Sequence, residues 1–257
     1  MTTLSDDADT ASPIDDLPVG WCDIVGRGRM GQALASALGA AGVPVRGPLG
    51  RGADASGAAI VLLCVPDREI ASASSALVRG PLVGHVSASA DLALLEPHER
   101  FFLHPLLSVL GGGAGFAGAT CAVDGNTEKA LGVARALALR LGMHARVIPP
   151  EQRALYHAAA SMASNFLITL EAAAERLARE VGLERAALVP LVRATVDQWA
   201  ALGGRAALTG PIVRGDEETV ARQRGAVADV APEMIALWDA LAAATRDLAA
   251  ARSPSLS

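Results

Sequence analysis

The feature that most constrains this chain is a group of three glycines between a short apolar segment and a series of helix-forming residues. Gly26, Gly28 and Gly31 have the spacing G-x-G-x-x-G and follow the apolar pair Ile24 and Val25. The first glycine of such a pattern permits a tight turn, the second permits close approach of a pyrophosphate, and the third permits close packing of helix on strand. Free N–H groups at a helix start also favour phosphate. The pattern therefore predicts a strand, turn and helix that bind a dinucleotide; the alternative is a glycine turn without a ligand.

The residues after the second predicted strand, 43–46, indicate which dinucleotide would bind. A carboxylate about twenty residues beyond the first glycine would bind the ribose 2′-hydroxyl of NAD, whereas an arginine there accommodates the 2′-phosphate of NADP. No acidic residue precedes Asp54 in this zone, which contains Arg46 and Arg51. NADP is therefore favoured, with Arg51 as the expected phosphate contact, unless both arginines are solvated loop charges. The predicted coenzyme contacts are Gly26, Gly28, Arg29, Met30, Gly31, Arg51, Val65 and Pro66.

The order of apolar and helical patterns predicts two domains. Short apolar runs at 58–65, 82–87, 121–123 and 145–148 alternate with helical patterns, which is typical of a mostly parallel sheet. We therefore expect an α/β Rossmann-type N-terminal domain over 19–149. After Pro149 and Pro150 the strand patterns cease, and helices are predicted at 151–181, 184–201, 216–228 and 231–251. We expect an all-α C-terminal domain over 150–252 that carries substrate and homodimer contacts, with disordered tails at 1–18 and 253–257.

Composition excludes several classes of function. Five of the 27 acidic residues lie within 1–19, and the remaining 22 balance the 22 basic residues, which argues against a nucleic-acid-binding surface. No apolar run is long enough to span a bilayer and the N-terminus does not resemble a secretory signal, so we expect a cytoplasmic protein without membrane contact. The three cysteines lack C-x-x-C spacing and no histidines have ligand spacing beside carboxylates, so no metal site is predicted.

Candidate catalytic groups occur in two places. His104 lies near the end of a predicted strand, where open α/β sheets bind their ligands. His157, Ser161 and Asn165 are spaced four residues apart, so they form one polar stripe along an otherwise apolar helix. We predict that these four residues contribute to catalysis on a small-molecule substrate. The alternative is that the histidines have structural roles in the core or at an interface.

The sequence resembles the Rossmann-like, DUF2520 domain-containing proteins, which are relatives of ketopantoate reductase, pyrroline-5-carboxylate reductase and the 6-phosphogluconate dehydrogenase superfamily. The resemblance extends from about residue 20 to about residue 250. It is carried by residues 21–31, His104-Pro105-Leu106, Tyr156-His157-Ala158-Ala159-Ala160 with Ser164-Asn165, and Leu208-Thr209-Gly210-Pro211 followed by Arg214-Gly215-Asp216. It implies NADPH-dependent reduction of a small 2-keto acid such as ketopantoate.

The resemblance also implies roles for individual residues. Ketopantoate reductases place a lysine and two asparagines at four-residue spacing on the first helix of the second domain, where this chain has His157, Ser161 and Asn165. Because histidine ordinarily titrates at about pH 6.5, protonation of the forming alkoxide by His157 would weaken as pH rises. Ser161 and Asn165 would orient the substrate, and Arg214 is the candidate for its carboxylate.

Two other functions stay open. The first is reduction of a cyclic imine, which arrives already protonated and so needs no general acid. The second is an NADP-binding sensor or scaffold without catalysis.

Overall fold

The structure, a computed structural model, describes residues 17–109 and 115–251. The predicted disordered tails, 1–18 and 253–257, lie almost wholly outside these residues. The chain divides into two compact units, with the boundary between Ser164 and Asn165. This boundary lies later in the chain than the composition change at Pro149 and Pro150.

The first unit contains a seven-stranded sheet with the order β2-β1-β3-β4-β5-β6-β7. Neighbouring strands run parallel except β5 and β6, which are antiparallel. The predicted Rossmann-type fold is therefore confirmed. The strands are β1 Trp21–Val25, β2 Val45–Leu49, β3 Ala58–Leu63, β4 Leu82–His85, β5 Arg100–Pro105, β6 Thr120–Gly125 and β7 His144–Val147.

Helices cover both faces of this sheet. Successive residues of β3 belong to different hydrophobic cores, because side chains of a strand alternate between its faces. Ile60 and Leu62 join one core, and Val61 and Leu63 join the other. This explains why 58–65 is a continuous apolar run. The helices of the first unit are α1 Arg29–Ala40, α2 Asp67–Ser75, α3 Glu128–Arg140 and α4 Pro150–Ser161.

The second strand differs from its prediction. It was expected at 43–46, but β2 begins at Val45 and continues through Gly47 and Pro48 to Leu49. Proline tolerates a strand position at a sheet edge, where its missing N–H breaks no ladder hydrogen bond, and β2 is one of the two edge strands. Gly47 has φ +124°, and a Cβ there would lie 2.5 Å from the carbonyl oxygen of Ile24.

The second unit is helical, as predicted, and the helix expected at 151–181 corresponds to a continuous helical segment over 150–179 that contains one π-helical turn. A π-helical turn, Met162–Phe166, separates α4 from α5 Leu167–Arg179. The later helices are α6 Arg185–Leu202, α7 Gly204–Ala207, α8 Glu217–Val230 and α9 Ile235–Ala250. Among residues 17–109 and 115–251, no helix combines the length and the apolar character needed to cross a membrane.

Burial differs sharply between the units. Both hydrophobic cores consist of first-unit residues. In the described part of the second unit, the buried hydrophobic residues are Ala178, Val220, Val227, Ala231 and Ala242.

Candidate active site

The three glycines form a corner where β1 meets α1. Gly26 has φ +124°, and a Cβ there would lie 2.2 Å from the carbonyl oxygen of Cys64. A Cβ at Gly31 would lie 2.0 Å from the carbonyl oxygen of Gly26. At Gly28, the N-cap of α1, a Cβ would meet no atom within 4 Å, and no side chain caps the helix start. Two glycines are therefore required by packing, while the third leaves room for a phosphate beside the helix N–H groups.

A cleft of ≈ 680 Å³, here called the glycine cleft, lies beside this corner. Residues 25–28, 49–53 and 64–66 line it together with part of α2, including Glu69 and Ser72. Predicted contacts that line the cleft are Gly26, Gly28, Arg51, Val65 and Pro66. Arg29, Met30 and Gly31 form the first turn of α1 instead, beside the cleft lining at Gly28. Those contacts stay predictions.

The arginines considered for NADP have different environments. Arg46 donates from Nε and Nη2 to the two carboxylate oxygens of buried Asp23, at 2.6 and 2.7 Å. This side chain is therefore paired within the protein and does not serve as a phosphate contact. Arg51 lines the glycine cleft, and its Nη2 donates to Glu69 Oε2 at 2.9 Å. Sequence reasoning missed Arg27, which lines the cleft and lies against Gly50, and it also missed Glu69.

A second pocket, of ≈ 430 Å³ and here called the substrate pocket, lies between the segment after β4 and one face of α4. Its lining comprises Ser89, Ala90, Asp91, Pro150, Arg153, Ala154, His157, Ala158 and Ser161. Two residues of the predicted polar stripe therefore lie together. Residues four apart share a helix face, which explains this arrangement.

Asn165 and Arg214 lie in the second unit. Asn165 belongs to the π-helical turn, and its carbonyl accepts a hydrogen bond from Thr169 Oγ1 at 3.0 Å. Arg214 is exposed in the turn before α8, where Asp216 accepts a hydrogen bond from the Thr219 N–H and caps the helix. The catalytic role of Asn165 and the substrate role of Arg214 stay predictions.

His104 lies in β5 next to α4. Its Nδ1 is 2.8 Å from the hydroxyl oxygen of Tyr156, and its ring centroid is 6.3 Å from that of His157. Burial, followed by the nearby His157, lowers the pKa of His104 to about 4, so its imidazole is neutral at pH 7. Burial also raises the pKa of Tyr156 above its usual value. Sequence reasoning gave Tyr156 no role, because only the sheet places it beside His104.

A buried charged group fixes α4 to the sheet. The guanidinium of Arg153 donates to the carboxylate of Asp124 and stacks over the ring of Phe102, 4.5 Å from its centroid. His85 ends β4 and is fully buried; burial, followed by the charge of Arg153, lowers its pKa to about 4. The Ser87 N–H donates to His85 Nδ1 at 3.3 Å, which places the proton of the neutral ring on Nε2.

These features define a Rossmann-type fold with a glycine-cornered cleft and a separate polar pocket beside α4. Residues 119–245 match the family described as "Domain of unknown function (DUF2520)", and the predicted resemblance to DUF2520 domain-containing proteins is confirmed. None of the curated proteins matches this sequence.

Solved structures share the fold across most of the chain. A candidate NADP oxidoreductase from Bacteroides fragilis is 21% identical, with TM-score 0.77, and the match covers 92% of this chain and 100% of that one. A protein from Thermotoga maritima is 23% identical, with TM-score 0.74 and coverage of 89% and 98%. A reductive aminase from Aspergillus terreus, in complex with NADPH and ethyl levulinate, is 16% identical, with TM-score 0.65 and coverage of 90% and 95%. At such identities these likenesses establish the fold.

Proposed function

We propose that this protein is an NADP-dependent oxidoreductase that reduces a small carbonyl compound of the 2-keto acid type. The observation that carries the proposal is the position of the two sites. Gly26 directly follows β1, Val65 and Pro66 follow β3, and Ser89 to Asp91 follow β4, so both sites lie at the carboxyl ends of parallel strands. Open α/β sheets bind ligands at this edge. The NADP oxidoreductase and NADPH-complex descriptions of two neighbours support the same coenzyme.

The residues around the glycine corner fit a dinucleotide. The open space at Gly28 and the uncapped start of α1 would receive the pyrophosphate, and Arg27 and Arg51 would receive the 2′-phosphate. The bound coenzyme would supply the hydride.

The protein's own groups would bind the substrate and donate the proton. His157 would donate a proton to the carbonyl oxygen as it becomes an alkoxide, and Ser161 on the same wall would orient that oxygen. The roles predicted for Asn165 and Arg214, the latter as the contact of a substrate carboxylate, stay predictions. Neutral His104 would hold the Tyr156 side of α4 in place.

The test is direct. We expect purified protein to bind NADPH, measured by fluorescence titration, and to oxidise it with a member of a 2-keto acid panel, beginning with ketopantoate. His157→Ala should lower turnover about 10²- to 10⁴-fold while coenzyme affinity is unchanged. His144→Ala, which removes an exposed histidine from β7, is the matched control and should retain turnover. A protein without affinity for either pyridine coenzyme would contradict the proposal.

A second candidate is reduction of a cyclic imine, and the charge of the substrate pocket favours it. Arg153 is neutralised by Asp124, whereas Asp91 forms no ion pair with any cation in the described segments. The pocket would therefore attract a cationic iminium group. In that case Asp91→Asn should weaken turnover of imines more than of keto acids, and His157 should be dispensable. NADPH binding without turnover of either class would favour a sensor or scaffold.

We also propose that the helical unit forms a homodimer. Its described part buries only the five small or medium side chains named above, while Leu191, Trp199 and Leu202 on α6 are 60% or more exposed. Such limited burial does not offset the conformational entropy of ordering five helices, so a second copy is the natural source of the missing core. Sedimentation velocity should show a dimer at micromolar concentration, and a monomer would contradict the proposal.

A further inference from the structure

The Arg51–Glu69 pair lies where β2, the glycine corner and α2 meet. Glu69 is in the first turn of α2, and its side chain is 28% exposed, whereas that of Arg51 is 86% exposed. The helix therefore holds the carboxylate in the wall of the glycine cleft, and the loop arginine reaches across to it. Because Arg51 is nearly free of packing, it can exchange this carboxylate for another anion at little cost.

The charges facing the glycine cleft are few. Arg27 and Arg51 line it as cations, and Glu69 lines it as an anion. Arg46 is paired with Asp23 instead of facing the cleft. Arg68 makes only a long contact with Glu69, at 3.9 Å between Nη2 and Oε1. The sequence has no acid at the end of β2, where a carboxylate would bind the ribose 2′-hydroxyl. Glu69 brings a carboxylate to the same cleft from a different element.

We infer that Glu69 is a specificity-determining residue for the coenzyme, an inference that rests on the proposed function. Its carboxylate accepts a hydrogen bond from the ribose of the unphosphorylated coenzyme, and it competes with a 2′-phosphate for Arg51. A 2′-phosphate also carries nearly two negative charges, which Glu69 repels. The chain therefore binds both pyridine coenzymes. Its affinity for NADP exceeds its affinity for NAD by a smaller factor than Arg27 and Arg51 would give without Glu69.

The adenosine halves of the two coenzymes test this inference separately from catalysis. Calorimetric titration of the full-length protein with 2′,5′-ADP and with 5′-AMP gives the ratio of their dissociation constants. Glu69→Gln should increase the preference for 2′,5′-ADP over 5′-AMP about tenfold at low salt, and by a smaller factor at high salt. Glu69→Asp keeps the charge and should stay close to the original ratio, and Arg51→Ala should shift the ratio towards 5′-AMP.

The matched control is Glu96→Gln. Glu96 also accepts a hydrogen bond from an arginine Nη2 at 2.9 Å, in this case Arg100, but it does not line the glycine cleft. The Glu96→Gln variant should leave the ratio of the two dissociation constants unchanged. An unchanged ratio in Glu69→Gln, or a shift towards 5′-AMP, would overturn the inference while leaving coenzyme binding intact. Failure of the original protein to bind either nucleotide would overturn the proposed function and the inference with it.

Discussion

Replacing Gly28 by alanine should separate coenzyme binding from folding. The backbone there has φ −71° and ψ 177°, which alanine adopts readily, and the new methyl meets no protein atom within 4 Å. Alanine is a poorer N-cap than glycine, which destabilises the protein by about 0.5–1 kcal/mol. Alanine also lowers the conformational entropy of the unfolded chain, which stabilises the folded protein by about 0.4–1 kcal/mol. The free energy of unfolding should therefore change by less than about 0.5 kcal/mol. The methyl would nevertheless occupy the space that a pyrophosphate needs, so NADPH affinity should fall at least about tenfold.

Two other glycines make the comparison specific. At Gly31 a methyl would press on the backbone oxygen of Gly26, and overpacking of this kind costs about 1–3 kcal/mol, so Gly31→Ala should melt several degrees lower. Gly39, also in α1, has open surroundings, and Gly39→Ala should gain about 0.5–1 kcal/mol without altering NADPH affinity. Circular dichroism melts and NADPH fluorescence titrations measure both quantities. If Gly28→Ala bound NADPH as tightly as the original protein, phosphate binding at this corner would be refuted.

Three further predictions concern the histidines, the tyrosine and the helical unit. Because the pKa of buried His85 falls to about 4, the unfolded chain binds a proton at this position first as pH drops below about 6.5, and His85 should contribute a loss of stability of up to about 1.4 kcal/mol per pH unit between those values; His85→Asn should remove this contribution in urea unfolding at pH 7 and pH 5, while the equal contribution of His104 remains. Tyr156→Phe removes the hydroxyl beside His104 and should cost about 1–3 kcal/mol of unfolding free energy with NADPH affinity unchanged, whereas an unaltered melting temperature would exclude a structural role for this contact. Trp199→Glu places a charge on the exposed apolar face of α6 and should convert a dimer to a monomer in sedimentation velocity; a persisting dimer would place the interface elsewhere.

The glycine corner could be predicted because its causes are local. The strand, the turn and the helix are adjacent in sequence, and the glycine spacing predicts the close backbone packing that is found at Gly26 and Gly31. The same holds for His157 and Ser161, since a helix brings residues four apart onto one face. Both predictions required only the geometry of a single element and its neighbour.

The remaining site residues depend on pairings that spacing does not encode. The sequence favours Arg51 over Arg46 as a phosphate contact, but it does not show that β2 pairs with β1 so that Arg46 faces Asp23. Glu69 reaches the cleft from α2, and Arg153 meets Asp124 from 29 residues away. The π-helical turn is equally unpredictable, because its i→i+5 bonding leaves no hydrophobic period that differs clearly from an α-helix.

The attachment of α4 to the sheet determines which parts of the proposed site are fixed together. The buried Arg153 bonds Asp124 on β6 and stacks on Phe102 of β5, and Tyr156 meets His104, so two side chains of α4 are fixed on neighbouring strands. The next turns of the same helix present His157 and Ser161 to the substrate pocket. A buried ion pair of this kind contributes little net stability, but breaking it leaves an uncompensated charge, so it favours one position of the helix over all others. The side chains proposed to donate the proton and orient the substrate therefore belong to the same compact unit as the glycine corner.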